Sequence, residues 1–382
     1  MNTLTDGSKH NQPPHAPGTP DGRPTIGLLC DLLTNAVTMA MWNGVQDAAR
    51  QLGANLLYFG GGFLQDPRLP QANAIYDLVT PESVDGLIVW GAQLTHYASQ
   101  EELKAFCSQY HPLPIVNIGL AVEGIPSLLP DNHQGMHDVV AHLIEVHGCR
   151  RIACISGPDC IEWRERYRGY VDALVEHDIP LDPTLIVNWD AVLKQQQRDP
   201  GYVYTHADGI RALLDIQGLR PREDFEAIVG FNDDMCIAAV RELHARGLRV
   251  PDDVKVAGFD DTEEAQSITP PLTTVRQSFY NLGGRGVETL LALIEGQEVP
   301  EQVILPLPVI IRRSCGCISK SVLEAAAGSV SRAETGESLT EALTAQLQDL
   351  SLEMVEAAGI YADQAPLPAD IELAENLVLC QA

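Results

Sequence analysis

The sequence predicts an α/β protein shaped as a two-lobed clamshell, each lobe a parallel sheet flanked by helices, followed by a C-terminal α-helical extension. Three observations carry that prediction. Short apolar strands alternate with amphipathic helices from Thr25 onward, the rhythm of parallel strands joined by right-handed crossovers. The rhythm repeats in the second half of the chain, so two lobes of similar size are expected. Beyond Cys317 the strands stop and an acidic, leucine-spaced pattern takes over.

Residues 1–23 are polar and rich in Pro, Gly, Asn, Asp and His, and read as a disordered leader. The N-terminal lobe is expected over 24–130. Ile26–Cys30 reads as a buried strand, and residues 36–52 as a helix stopped by Gly53. Asn55–Phe59 is a second strand, Asn73–Leu78 a helix and Val84–Trp90 a third strand. Helix Glu101–Gln109 and strand Pro114–Ile118 complete the lobe.

The C-terminal lobe is expected over 131–273. A helix from His133 to Val146 stops at Gly148, and strand Arg151–Ser156 precedes helix Trp163–His177. Leu185–Trp189 reads as a strand, residues near Asp208–Ile216 as a helix, and Ala227–Phe231 as a strand. Helix Met235–Arg246 and strand Val254–Gly258 follow. The chain then returns, residues of about 274–300 rejoining the first lobe through helix Leu282–Glu295. Residues 301–317 hold a final strand, Gln302–Ile311, and an exit. Over 318–382, Ser338-x-x-Glu341 is a capping box, and Leu339, Leu343, Leu347, Leu350 and Met354 recur at helical spacing. With eleven acidic side chains against Lys320 and Arg332, the tail reads as a helical hairpin with a solvated acidic face.

Composition narrows the function classes. The 382 residues, 45% hydrophobic, suffice for two or three separate cores. A net charge of −27, from 52 acidic and 25 basic side chains, opposes DNA binding by this chain itself, because phosphates demand a basic face. No apolar run approaches the roughly 18 residues a membrane span needs. The N-terminus lacks the basic start and apolar stretch of a secretion signal, so a cytoplasmic protein with no membrane partner is expected. The nine cysteines, Cys30, Cys154 and Cys236 among them, sit mostly at apolar positions and read as reduced core thiols.

The most informative motif is Val250-Pro-Asp-Asp-Val-Lys-Val-Ala-Gly-Phe-Asp-Asp261, followed by Pro270-Pro-Leu-Thr-Thr-Val-Arg-Gln277. A short strand ends in two carboxylates, at the end of a parallel sheet where ligands bind. Other motifs stand in order before it. They are Val84-Asp-Gly-Leu-Ile-Val89, Asp131-Asn132 with Gly135 and His142-Leu-Ile144, Arg150-Arg-Ile-Ala153, Arg166-x-x-Gly169-Tyr170-x-x-Ala173-Leu174, and Phe231-Asn-Asp-Asp-Met235. Together they resemble the effector-binding domain of LacI-type bacterial regulators, related to periplasmic sugar-binding proteins, over residues 24–313. The resemblance implies a type I periplasmic-binding-protein-like fold that senses a small molecule without chemistry on it.

It also implies a site. Arg166 would present a forked donor to ligand oxygens, Asn232 a donor and an acceptor, and Asp260 an acceptor for hydroxyls. Gln277 lies at the crossing between lobes, Asn35 on the first loop, and Trp90 and Trp163 offer an aromatic wall. Each has a plainer alternative. Arg166 can pair with Asp159 or Glu162, Asp260 can cap a turn, and either Asn232 or Asp233 can cap the helix from Met235, with Asp233 favoured as the cap. Two departures argue against a simple pentose or hexose: Ala36-Val37-Thr38 replaces aromatic residues, and Gly119-Leu120 replaces Asp-Arg after the fourth strand.

Other constellations are set aside. His133, His137, His142 and His147 recur along one helix without an HExxH, and read as polar face and end positions. Cys315-x-Cys317 has no second cysteine pair nearby. Gly60-Gly61-Gly62 and Gly283-Gly284-x-Gly286 lack phosphate-loop spacing, and the latter reads as a close-packing device. No metal, cofactor or enzyme activity is expected. The family's DNA-binding headpiece finds no room ahead of the first strand, so DNA contact is expected only through a separate domain or partner. The expectation is a sensing domain of a transcriptional or signal-transduction regulator, acting as a homodimer on a sugar-like or other polar ligand. A stand-alone cytoplasmic solute-binding protein is the alternative.

Overall fold

The computed structural model describes residues 22–66, 70–155, 161–187, 192 and 205–318. The expected leader and helical hairpin therefore lie outside the described residues, apart from their innermost ends.

The N-terminal lobe runs β1 (Thr25–Asp31), α1 (Ala36–Gln51), β2 (Asn55–Gly61), β3 (Gly86–Val89), α2 (Gly91–Leu94), α3 (Gln100–Ser108), β4 (Ile115–Ile118) and β5 (Ser127–Pro130). The C-terminal lobe follows with α4 (Asn132–Glu145), β6 (Ile152–Ile155), α5 (Ile161–Glu176), α6 (Asp208–Arg211), β7 (Ala227–Gly230), α7 (Asp233–Ala245), β8 (Lys255–Asp260), α8 (Glu263–Ser267) and β9 (Thr273–Arg276). The chain returns through α9 (Phe279–Ile294) and β10 (Gln302–Leu305), and ends with β11 (Val309–Ile310). Six strands in the order β10-β5-β4-β3-β1-β2 form one sheet, and five in the order β11-β9-β8-β7-β6 form the other. All pairings are parallel except the β11–β9 edge.

Burial on both faces explains why the strands read as unbroken apolar runs. Every residue of β1 is buried. Alternate side chains of β1 serve different cores: Ile26, Leu28 and Cys30 pack toward α1 and α9, while Leu29 packs toward α3 and Tyr76. The second sheet divides likewise, with Ala153, Ile155 and Ile228 on one side and Ile152, Cys154 and Val229 on the other.

Helix α4 packs on α5 and β9, whereas α9 packs on α1 and β4, so the chain passes between the sheets three times. The passages follow β5, β9 and β10.

Two expected strands are corrected, one strand is added and one expected helix is refined in type. The single strand Gln302–Ile311 is two, β10 in the first sheet and β11 in the second, because Pro306 and Pro308 remove the backbone donors a continuous ladder needs. The short β5 strand is an addition, since Pro126 and Pro130 bracket too few residues to show alternation. Asn73–Leu78 belongs to a 3-10 helix, Pro70–Leu78, rather than an α-helix. The strand Leu185–Trp189 is replaced by a 3-10 turn, Pro183–Leu185, and an isolated Ile186–Cys154 bridge, with Asn188 and Trp189 outside the described residues.

The glycine run in α9 is a packing device. A Cβ on Gly283 would stand 2.6 Å from the Met41 carbonyl oxygen of α1, whereas one on Gly284 would meet nothing closer than 3.8 Å. Gly283→Ala is therefore expected to cost about 1–3 kcal/mol in urea unfolding through overpacking. Gly284→Ala, in the same helix, is expected to be neutral or to gain up to about 1 kcal/mol from helix propensity. Equal losses at both positions would contradict this reading of the α1–α9 contact.

Candidate functional site

The guanidinium of Arg166 organises the ends of the second sheet. It is carried on the first turns of α5 and is 4% exposed. A buried guanidinium must have its donors satisfied. Nε donates to Asn132 Oδ1 at 2.7 Å, Nη1 to the Phe231 carbonyl, and Nη2 to Gln277 Oε1 at 3.2 Å. Nη2 also lies 3.5 Å from Asp260 Oδ1. The guanidinium carbon stands 3.7 Å from the centre of the Phe259 ring and 4.6 Å from that of Phe231. Stacked aromatic faces complement a planar cation whose hydration has been removed.

Asp260 ends β8 in a conformation that side chains rarely adopt, with φ 115°, and Asp261 follows at φ 60°. Such backbone is maintained only where neighbours over-determine it. Here the Gln277 N–H donates to the Asp260 carbonyl at 3.3 Å. Asp261 is held by Arg276, whose Nε donates to Oδ2 at 2.6 Å, and by Arg312, whose Nη2 lies 2.5 Å from Oδ1. The turn aims the Asp260 carboxyl back toward Arg166, with its side chain 13% exposed. Burial pushes its pKa up to about 8, opposed by Arg166 and reinforced by Asp233, Asp234 and Glu162.

Asn232 rather than Asp233 caps α7, its Oδ1 accepting from the Met235 N–H at 3.0 Å. This corrects the expected assignment. Asp233 is fully buried instead, accepting the Thr262 N–H at 2.8 Å and the Thr274 hydroxyl at 2.6 Å, which pins α8 and β9 to β7. Burial raises its pKa to about 6, with those two bonds working in the opposite direction. The cap commits the Asn232 side-chain oxygen to the backbone of its own helix.

Of the seven residues proposed from sequence, Arg166, Asp260 and Gln277 form one contact cluster. Trp163 adjoins it, its ring 6.2 Å from Phe231 and 5.2 Å from Tyr167. Trp90 is 3% exposed and packs on Phe279 at 5.8 Å, two residues past Gln277. It belongs to the core beside a crossing rather than to an open aromatic wall. Asn35 is the N-cap of α1, its Oδ1 accepting from the Thr38 N–H at 2.9 Å. Asn132 and Phe259 complete the cluster and are additions. The Asn132 amide follows the Asp131 cap immediately, and Phe259 precedes the carboxylate pair, so local sequence marks both positions without showing that they meet Arg166.

A depression of about 300 Å³ opens between the lobes. Gly119, Leu120 and Ala121 line it from the first lobe, and Asn132, Ile161, Glu162 and Glu165 from the second. Asn132 alone joins this cavity to the Arg166 cluster among the described residues. The Gly119-Leu120 pair, read as a departure from the family, forms part of its wall.

The histidines divide. His133 pairs with Asp172 and His137 with Glu176, each at 2.7 Å, as a polar helix face. His142 and His147 instead converge with Cys315 and Cys317, their donor atoms all within 4.8 Å of one another. This corrects the reading of the two pairs as separate features.

Residues 140–315 match the family described as periplasmic binding protein-like domain. The chain is similar to the HTH-type transcriptional repressor PurR of Aliivibrio fischeri, with 27% identity over 293 residues covering 76% of this chain and 80% of that protein. It is 30% identical over 230 residues to the HTH-type transcriptional repressor CytR of Escherichia coli, covering 60% of this chain and 62% of that one. Among solved structures, the E. coli transcriptional repressor ascG superposes with a TM-score of 0.59 at 26% identity, over 78% of this chain and all of that one. The complex of the transcriptional regulator CelR with cellobiose does so with a TM-score of 0.60 at 26% identity, over 76% and 84%.

The raised Asp260 pKa has a pH consequence. A carboxyl shifted upward from 3.8 to about 8 contributes stability that is complete below its unfolded pKa and is lost as pH rises through about 8. Asn tolerates positive φ and cannot ionise. Asp260→Asn is therefore expected to gain stability relative to the parent between about pH 4 and pH 8, read as the difference in unfolding midpoints. A difference that stays flat across that window would refute the shift. Sheet order, crossings and similarity show a two-lobed, type I periplasmic binding protein-like fold, shared with solved regulators of the LacI family such as that from Chloroflexus aggregans (25% identity, TM-score 0.61, over 76% of this chain and 98% of that one).

Proposed function

We propose that the chain senses a small, oxygen-rich polar ligand held between the lobes by Arg166, Asp260, Gln277 and Asn232, and that it does no chemistry on it. The observation that carries this reading is the Arg166 cluster. A cation with almost no solvent contact sits at strand ends beside the inter-lobe passage, beside a carboxyl in strained backbone. Backbone strain and perturbed ionisation concentrate where a protein binds or reacts. Gln277 and Asp260 hold the outer side of the guanidinium, so a ligand oxygen can exchange for the Gln277 contact without leaving the cation unpaired. Cellobiose in the CelR complex is a polyhydroxyl of the kind such donors and acceptors suit.

The ligand would favour one lobe arrangement by binding it more tightly than the other. We place the readout at a homodimer face, with DNA contact made through a separate domain or partner, because the whole chain's net charge of −27 opposes phosphate binding.

A thermal-shift screen against sugars, sugar phosphates, nucleosides and amino acids tests the reading. A true ligand raises the melting temperature in proportion to the logarithm of its concentration. Asp260→Gly removes the carboxyl and suits the positive φ, and Gln277→Ala removes one exchangeable partner. Each is expected to weaken the ligand at least about tenfold, or roughly 1.4 kcal/mol, while keeping a cooperative melt. An undiminished shift in both variants would move the site elsewhere.

A further inference from the structure

We propose that His142, His147, Cys315 and Cys317 form a closed, tetrahedral zinc site in the C-terminal lobe. Three elements supply the donors. His142 lies in the last full turn of α4, and His147 in the turn that Gly148 closes before β6. Cys315 ends the 3-10 turn Arg313–Cys315 that follows β11, with Cys317 two residues on.

The distances suit one small ion. Cys315 Sγ lies 3.5 Å from His142 Nε2, and Cys317 Sγ lies 3.6 Å from the same atom and 3.3 Å from His147 Nε2. Zinc bonds of about 2.3 Å to sulfur and about 2.0–2.1 Å to nitrogen, at tetrahedral angles, set a sulfur-to-nitrogen edge of about 3.5 Å. The imidazole rings stand 5.1 Å apart at 78°, so both nitrogens face the thiols without stacking.

Each thiol has a hydrogen-bond acceptor of its own, Cys315 in the Arg312 carbonyl and Cys317 in His147 Nε2, both at 3.3 Å, yet the two also converge on His142. Both thiols point at one nitrogen of His142, which offers a single lone pair when neutral. One cation bound by two thiolates and two neutral imidazoles satisfies all four groups together and leaves no net charge. The His-x4-His spacing falls within that of structural zinc sites. Cys-x-Cys is one residue tighter than usual, and Gly316 accommodates it with φ 104°. A Cβ there would also come within 3.4 Å of the His147 ring.

Four protein ligands leave no open position, so the site is structural rather than catalytic. His142 lies ten residues along α4 from Asn132, about 15 Å from the Arg166 cluster at a rise of 1.5 Å per residue. The metal would fasten the segment after β11 to a helix end 170 residues earlier in the chain. Closing so large a loop in the folded state only is what makes such a clip effective.

The test uses the full chain, purified from zinc-supplemented medium, desalted, and measured by inductively coupled plasma mass spectrometry. One zinc per chain is expected, with Cys317→Ser and His147→Gln both falling to background. Cys315 is fully buried, so these two half-buried ligands are the better probes of metal without loss of fold. Cobalt added to the apo chain should give thiolate-to-metal charge transfer in the near-ultraviolet and tetrahedral bands in the visible. A chelator should lower the melting temperature of the parent and leave that of His147→Gln unchanged. A parent chain that binds neither zinc nor cobalt would overturn the proposal. So would variants that retain the full metal content, since the metal would then be held by other residues.

Discussion

The C-terminal lobe is arranged around the problem of keeping one guanidinium out of water. Removing a charge from solvent costs several kcal/mol unless partners replace its hydration, and about five donors must be placed. Arg166 on α5 draws those partners from the start of α4, the end of β7, the end of β8 and the chain just past β9. A shift of the Asn132 or Phe231 segment would leave a buried donor unanswered, whereas Gln277 and Asp260 share Nη2. The cluster therefore works as a keystone: it fixes the strand ends at which the lobes meet, and it does so with groups chosen for polarity rather than volume.

The Asp260-Asp261 turn shows the same economy. Two successive residues take left-handed backbone, and two arginines from neighbouring segments hold the second carboxylate in place. The strain orients the first carboxyl toward the cation, and its burial keeps it from ionising as readily as an ordinary aspartate. Asp233 behind it performs a purely internal task, bridging Thr262 and Thr274. Three acidic residues within one corner thus have three distinct roles, each decided by what surrounds it.

Much of this was legible in the chain itself. Strand β1 announced its burial as Ile26-Gly-Leu-Leu-Cys30, and α1 its stop through Gly53, because those signals are local; the Asn35 cap was not read. The Arg166–Asp260–Gln277 association followed from a resemblance, since nothing local links Arg166 to partners more than ninety positions further along. Elsewhere short-range reasoning failed for identifiable causes. Leu305-Pro-Leu-Pro308 is apolar throughout, and only pairing with distant strands reveals that it changes sheets. Asn232 and Asp233 are equally good caps in isolation, and the Thr262 N–H and Thr274 hydroxyl that claim Asp233 lie far ahead in the chain. His142, His147, Cys315 and Cys317 escaped notice because a search by spacing sees two weak pairs, whereas folding superimposes them.

The lobes are joined by three separate lengths of backbone. A body held by a single tether swivels freely, but peptide is inextensible at 3.8 Å per residue. Three tethers side by side resist any twist that would stretch one while slackening another. What survives is a swing about one axis, like a lid on a row of pins. On the proposed reading, a guest in the gap would set a single angle, whichever side chains held it.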